Sequence, residues 1–415
     1  MDNVKLFKSA RIFTPIDRGK PVCQKDLSKI SVFENGAILV KNGYIEAIGH
    51  YDDVMKSPAA SNIQREINCS GQCVIPGFVD PHTHASFIGL REEEFAMRLN
   101  HASYLEIHKM GGGIKNTVQK VRNSPEDELC ESTAKRVLNA LKSGTTTMEI
   151  KSGYGLATEH EIKLLKVINK VGKITPLDII PTFLGAHAVP EEYSNRENDY
   201  VDLVINEMIP SIASKKLAQF CDVACDEGFF SVENSKKILT AARKSGMGLK
   251  LHGDELGDFG AAKLAAELKV DSVEHLLATN DEGLRSLANA NVLAVLLPAT
   301  AFSLGVSYAR ARKMISEGVP VALATDCNPG SCYCESMAFV FMLAVLGMGM
   351  SVNEALNAAT LNSAYAIKMN KKVGSLDKNK QADFLLLDGE SPTVIPYHLG
   401  GSVIKSVYKL GEKVS

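Results

Sequence analysis

The segment Asp80-Pro-His-Thr-His84 places two imidazoles one residue apart, directly after the apolar run Val74-Ile-Pro-Gly-Phe-Val79. In extended backbone, positions i and i+2 share a face, so His82 and His84 can reach one ion together. Pro81 interrupts regular pairing just before them. His-x-His is a common tripeptide and means little when it stands alone. It gains weight because His187, His252, His275 and Asp326 also fall at the ends of strand-like runs. Histidine and aspartate suit zinc or a similar divalent ion, and three or four such ligands leave one position for water. Each of these residues taken singly reads as well as a satisfied buried histidine or a capping aspartate, whereas together they form a constellation that chance seldom produces.

The elements that must position them are runs of apolar residues alternating with helical segments from Val74 onward. The runs are Val74–His84, Thr145–Ser152, Ile179–His187, Phe220–Glu227, Gly248–Glu255, Ser272–Leu276, Val292–Pro298 and Val319–Asp326. Eight parallel strands with crossover helices imply an α/β fold, a TIM (β/α)8 barrel, whose chemistry sits where strands end and loops begin. A helix is expected over 125–143, with Glu126, Asp127 and Glu128 in its first turn and Gly144 at its end. A second is expected over 159–171, with Ile162, Leu165 and Ile168 on one face. Ser351-Val-Asn-Glu354 is a capping box opening a helix over 355–361.

Both ends of the chain have strand texture. Residues 37–48 are two apolar runs around Asn42-Gly43, a hairpin signal. Near the C-terminus, residues 382–388 and 403–408 are two more strand candidates. The expected organisation is a small β-sandwich built from residues 1–70 and 365–415, beside a barrel domain over 71–364.

At 415 residues the chain is long enough for one large domain plus a smaller one. Its 45% apolar and 23% charged residues are ordinary for a globular protein. A net charge of −2, with the two signs interspersed, offers no footprint for nucleic acid or an anionic membrane. The first residues lack the pattern of a signal peptide, and no stretch reaches the roughly 18 apolar residues of a membrane span. The expectation is a cytoplasmic protein that acts on a small molecule; a homodimer is left open. Nine scattered cysteines without a Cys-x-x-Cys pair read as reduced thiols.

The Asp80-Pro-His-Thr-His84 segment, the histidines of runs five and six, and Asp326 after run eight resemble the amidohydrolase superfamily. The flanking β-segments match its composite sandwich. Arg91, Gly111-Gly-Gly-Ile114, Glu149-Ile-Lys-Ser-Gly-Tyr-Gly155, Thr182-Phe-Leu-Gly-Ala-His187, His252-Gly-Asp-Glu255 and Ala324-Thr-Asp-Cys-Asn-Pro-Gly-Ser331 are similar to the branch that hydrolyses 4-imidazolone-5-propanoate to N-formimidoyl-L-glutamate. The His-x-His motif is superfamily-wide, and the Lys-Ser-Gly-Tyr-Gly and Asp-Cys-Asn-Pro-Gly-Ser segments are much narrower. The resemblance implies that His82, His84, His252 and Asp326 are the metal ligands, with His275 beside the water they activate. It assigns Arg91, Tyr154, His187 and Glu255 to the substrate, and Asn328, Gly330 and Ser331 to the surroundings of the product end. Many superfamily members hold two metals with a lysine on strand four. The run Phe220–Glu227 has none, which implies one divalent ion, zinc or iron.

The chemistry of the residues agrees with that implication. A Lewis-acidic ion acidifies water to a pKa of roughly 7 and polarises a carbonyl. Asp326 could accept the proton from water, His275 could stabilise the oxyanion, and Glu255, three residues past His252, could deliver the proton that lets the C–N bond break. The nearest rival is a deaminase of a nucleobase or triazine, because His252-x-x-Glu255 suits that chemistry too; demand for Arg91 by a carboxylate tail separates the two. A non-catalytic scaffold on the same fold is a further alternative, opposed by retention of every ligand candidate.

Other features read more plainly. Gly111-Gly112-Gly113 lacks the Gly-Lys-Ser/Thr ending of a phosphate loop and suits a flexible lid or a mere turn. Glu92-Glu93-Glu94 reads as a solvated face, and Cys332-Tyr-Cys334 as packing near the site. His50, His101, His108, His160 and His398 have no strand-end context.

Overall fold

The apolar run that precedes His82 divides between two sheets. In the computed structural model, which describes residues 2–100 and 112–415, Cys73–Pro76 pairs antiparallel with Phe384–Leu387. Phe78–Asp80 instead pairs parallel with Thr145–Lys151. Gly77 is the pivot, since a Cβ there would run into the side chain of Thr146, a close approach only glycine allows. The expected single strand 74–84 is corrected accordingly. His82 and His84 lie beyond its end, not within it.

The second part begins a barrel of eight strands: Phe78–Asp80, Thr145–Lys151, Asp178–Ala186, Phe220–Cys225, Gly248–Gly253, Ser272–His275, Leu293–Leu296 and Val321–Leu323. Each is parallel to the next, as the alternation of strand and helix texture requires. Closure comes past the strand ends, where Asp326 N donates to His82 O at 3.1 Å and His84 N donates to Cys327 O at 2.9 Å. The two ends of the barrel are thus laced together at the residues that carry candidate ligands.

The helices Glu126–Lys142 and Thr158–Ile174 cover the outside. The first stops where Gly144 turns to a φ of 92°. On the second the buried face is Glu161, Leu164, Leu165, Val167, Ile168 and Val171, shifted from the expected stripe to admit a buried carboxylate. The Ser351 and Glu354 capping box forms and opens Val352–Ala359. Thr360 then leaves the helical region, and a separate helix, Leu361–Ala366, follows where a single one was expected.

The remaining strands form a second sheet. Its order is Glu412–Lys413, Ile404–Lys409, Phe384–Leu387, Cys73–Pro76, Val4–Pro15, Ile30–Lys41 and Tyr44–His50, with Arg65–Asn68 also paired to Val4–Pro15. The hairpin turns at Asn42 and Gly43, with φ of 52° and 87°, the left-handed pair that matches strand twist. The rings of Phe7 and Tyr408 lie 4.9 Å apart. Two strands separate theirs in hydrogen-bonded order, which would put them about 14 Å apart in a flat sheet. The expected sandwich is therefore one sheet curled over its own core, with Phe384 as the third ring of the cluster.

Candidate active site

His82, His84, His252 and Asp326 converge at the mouth of the barrel, at the C-terminal ends of its strands. His82 Nε2 and His84 Nε2 lie 3.4 and 3.5 Å from the same oxygen of Asp326, and His252 Nε2 is 3.2 Å from His84 Nε2. Donor atoms of His82, His84 and Asp326 all fall within 4.8 Å of one another. Both ring nitrogens of His82 and Nδ1 of His84 are buried without a hydrogen-bond partner, which costs free energy unless another ligand meets them. Buried lone pairs of nitrogen and carboxylate oxygen turned to one point fit a divalent ion. Burial, reinforced by neighbouring positive groups, holds both His82 and His84 well below the usual histidine range, so both are in the neutral form that ligates metal.

Asp326 carries a φ of 55° and His275 one of 72°, left-handed values that non-glycine residues adopt at a cost and that cluster at functional sites. The second oxygen of Asp326 accepts a hydrogen bond from Thr300 Oγ1 at 2.7 Å, which fixes the carboxylate with its first oxygen toward the histidines. His275 Nδ1 is 3.5 Å from Glu255 Oε2. Burial lowers His275 to about 4 against the pull of Asp326. It raises Glu255 to about 7 against the pull of His252. Glu255 is also held by its backbone, because Asp226 accepts from the amides of Glu255 and Leu256.

His187 stacks on His84 with centroids 4.9 Å apart and presents Nδ1 to Gly153 O at 3.0 Å. Burial lowers it to about 3. Tyr154 is buried 5.3 Å from the His187 ring. Its loop is wrapped around Glu161, which accepts from the amides of Gly153, Gly155 and Leu156.

Arg91 is half-buried, and it is not free: Nε and Nη2 both donate to Glu94, at 2.9 and 2.7 Å. Glu94 also accepts from Gly113 N. Glu92 and Glu93 do face solvent, but Glu94 has a side chain only 13% exposed, and the reading of all three as a solvated face is corrected for it. The i, i+3 spacing on the helix Glu92–Leu99 turns it back over Arg91. Asn328 spends its amide within its own loop, donating to Asp326 O and accepting from the amides of Gly330 and Ser331. Gly330 passes so close to Arg91 that a Cβ would stand 2.5 Å from Nη1. Gly112 and Gly113 are buried, Gly113 preceding the helix Ile114–Asn123; Gly111, His101 and His108 lie outside the described residues. All nine cysteines are unbridged.

Sequence reasoning passed over the charges below this cluster. Lys151 and Glu149 of the second strand and Asp222 of the fourth are fully buried, with Lys151 Nζ 2.8 Å from a carboxylate oxygen of each acid. Burial works against the ammonium, but Asp222, Glu149 and Glu274 raise Lys151 above the usual lysine range. Asp222 Oδ1 in turn lies 3.0 Å from His252 Nδ1. A signal was present: Glu149 and Lys151, and likewise Lys250 and His252, recur at the strand period of two within apolar runs and so point to one face.

A parallel barrel whose mouth gathers histidines and an aspartate is an architecture that can hold a divalent ion at its strand ends. The model of the amidohydrolase family matches residues 73–414, and the chain belongs to that family. Within it the similarity is closer. The imidazolonepropionase of Syntrophobacter fumaroxidans is 54% identical over 405 residues, 98% of this chain and 96% of that protein. The imidazolonepropionase of Desulfotalea psychrophila is 52% identical over 99% of both chains. Among solved structures, E. coli guanine deaminase superposes with a TM-score of 0.73 at 16% identity, over 100% of this chain and 99% of that one. A triazine hydrolase variant does so with 0.74 at 17%, over 99% and 94%. These two likenesses speak to the fold alone.

Proposed function

We propose that the protein is a hydrolase of a cyclic C–N bond, an imidazolonepropionase that opens 4-imidazolone-5-propanoate to N-formimidoyl-L-glutamate. The observation that carries this reading is that donor atoms of His82, His84 and Asp326, and likewise of His82, His252 and His275, gather closely enough to hold an ion, with Glu255 beside His275, in a chain so similar to imidazolonepropionases over 98% of its length. His82, His84, His252 and Asp326 would hold one divalent ion, zinc or iron. When bound, that ion supplies Lewis acidity, which makes water a better nucleophile and the ring carbonyl a better electrophile.

Arg91 takes the propionate tail through Nη1 and the remaining hydrogen of Nη2, its Nε–Nη2 edge being held by Glu94. Tyr154 and His187 wall the ring and exclude water. Asp326, steadied by Thr300, accepts the proton that water loses as it adds to the carbonyl carbon. His275, neutral at physiological pH, donates its N–H to the developing oxyanion. Glu255, raised toward neutrality, delivers a proton to the ring nitrogen as the C–N bond breaks. Water's oxygen ends in the new carboxylate, and the nitrogen stays on the formimidoyl group.

Among the described residues, no helix is long and apolar enough to cross a membrane. The test is direct: purified protein should abolish the ultraviolet absorbance of imidazolone propionate while N-formimidoylglutamate appears in step. Unchanged absorbance with metal-loaded protein would overturn the reading.

A further inference from the structure

The buried charges beneath the site have a geometry that points upward into it. Asp222, in the fourth strand, lies 3.0 Å from Nδ1 of His252 and also accepts from Val223 N at 2.7 Å, both through Oδ1. Its other oxygen meets Lys151 Nζ at 2.8 Å, and Lys151 is the same distance from Glu149, two residues back on its own strand. Lys151, Glu149 and Asp222 have no solvent exposure. One oxygen of Asp222 is thus turned to His252, while the other faces the Lys151 ammonium as an ion pair and has no hydrogen-bond partner. Meanwhile Nε2 of His252 faces the other ligand candidates, 3.2 Å from His84 Nε2.

A buried ion pair of this kind contributes little net stability, because desolvation cancels most of the attraction. Placement against one ring nitrogen of a ligand histidine gives it a different use. An imidazole can offer a lone pair at only one nitrogen while the other carries hydrogen, and the partner of the second nitrogen decides which. We propose that Asp222 and Lys151 are positioning residues for His252. Asp222 accepts the Nδ1 hydrogen and so directs Nε2 to the metal, and Lys151, 2.8 Å from its other oxygen, holds Asp222 in that orientation. The inference rests on the reading of His252 as a ligand, and it adds to that reading two residues, from the second and fourth strands of the barrel.

The test compares zinc affinity, by competition with a chelator of known strength, in wild type, Asp222→Asn, Lys151→Met and His252→Ala, with melting of each metal-free form alongside. Asp222→Asn is expected to weaken zinc binding about 10–100-fold, as for loss of a partner behind a ligand, and to lower the melting of the metal-free protein as well, since the buried Lys151 loses one of its carboxylates. Lys151→Met should weaken it in the same direction by less, and the double variant should be no worse than Asp222→Asn alone. Zinc binding by Asp222→Asn within about twofold of wild type, while His252→Ala loses the ion, would overturn the relay and leave the ligand intact. Wild-type affinity in His252→Ala would overturn the ligand assignment and the relay with it. Should Asp222→Asn not fold, nitrogen spectra of histidine-labelled, zinc-loaded wild type decide the matter. His252 protonated at Nδ1 and bound at Nε2 supports the relay, and the reverse pattern refutes it.

Discussion

One oxygen of Glu94 accepts from both Nε and Nη2 of Arg91, at 2.9 and 2.7 Å. The guanidinium proposed to take the substrate tail is therefore already oriented, with Nη1 directed at Gly330. Replacing Arg91 by methionine keeps the length and removes the charge. It is expected to cost roughly 2–5 kcal/mol in kcat/KM on imidazolone propionate, as when a buried charge pair loses one member. A tail-less imidazolone run in parallel should be far less affected. Equal losses on both compounds would make Arg91 structural.

Gly330 tests the same contact without touching the charge. A Cβ at this position would stand 2.5 Å from Nη1 and 3.0 Å from Cζ of Arg91, so Gly330→Ala must push the guanidinium aside. KM for the tailed substrate should rise by about tenfold with a smaller change in kcat, the pattern of lost uniform binding. Combined with Arg91→Met, the alanine should add little, since both act on one contact. Additive losses would place the effect of Gly330 elsewhere.

For the carboxylate proposed as base, Asp326→Asn keeps the shape of the side chain and removes the proton acceptor. Turnover should fall on the order of 10²-fold or more, with metal content measured on the same sample. An asparagine variant that retains the ion and works within a few-fold of wild type would mean that Asp326 is not the base.

Glu255 gives a pH dependence that needs no activity measurement. Burial raises its pKa from 4.5 to about 7, so the folded chain binds a proton that the unfolded chain has released. Stability from this group therefore declines as pH climbs from the ordinary carboxylate range to about 7, and then levels off. Glu255→Gln never ionises. In metal-free protein its melting temperature relative to wild type should rise between pH of about 5 and about 8. The corresponding difference in unfolding free energy should reach on the order of 1–3 kcal/mol at most for a side chain 27% exposed. A difference that stays flat would show that the carboxyl titrates normally.

The proposed ligand set predicts close to one tightly bound divalent ion per chain. Stripping it should lower the melting temperature, by the equivalent of about 4 kcal/mol where free ion is about a thousandfold above Kd. Elemental analysis giving two tightly bound ions per active chain would overturn the mononuclear reading, with Lys151 already placed among the buried acids.

The sequence by itself determined the barrel, the helices and the positions of the ligand candidates, because each rests on a local period. Apolar runs recur between amphipathic helices, His82 and His84 are two residues apart, and Ser351 and Glu354 have capping spacing. Tertiary structure alone decided what crosses between elements. Gly77 splits one apolar run between two sheets because Thr146, distant in sequence, leaves no room for a Cβ. The terminal sheet curls because Phe7 and Tyr408 bury against each other across intervening strands. Asp222 meets His252 and Lys151 because the barrel turns alternate residues of its second, fourth and fifth strands into one interior. A charge in an apolar strand carries no mark of its partner; which groups satisfy it is set by the shape that burying the apolar residues imposes, and only there do Lys151, Asp222 and His252 become one array.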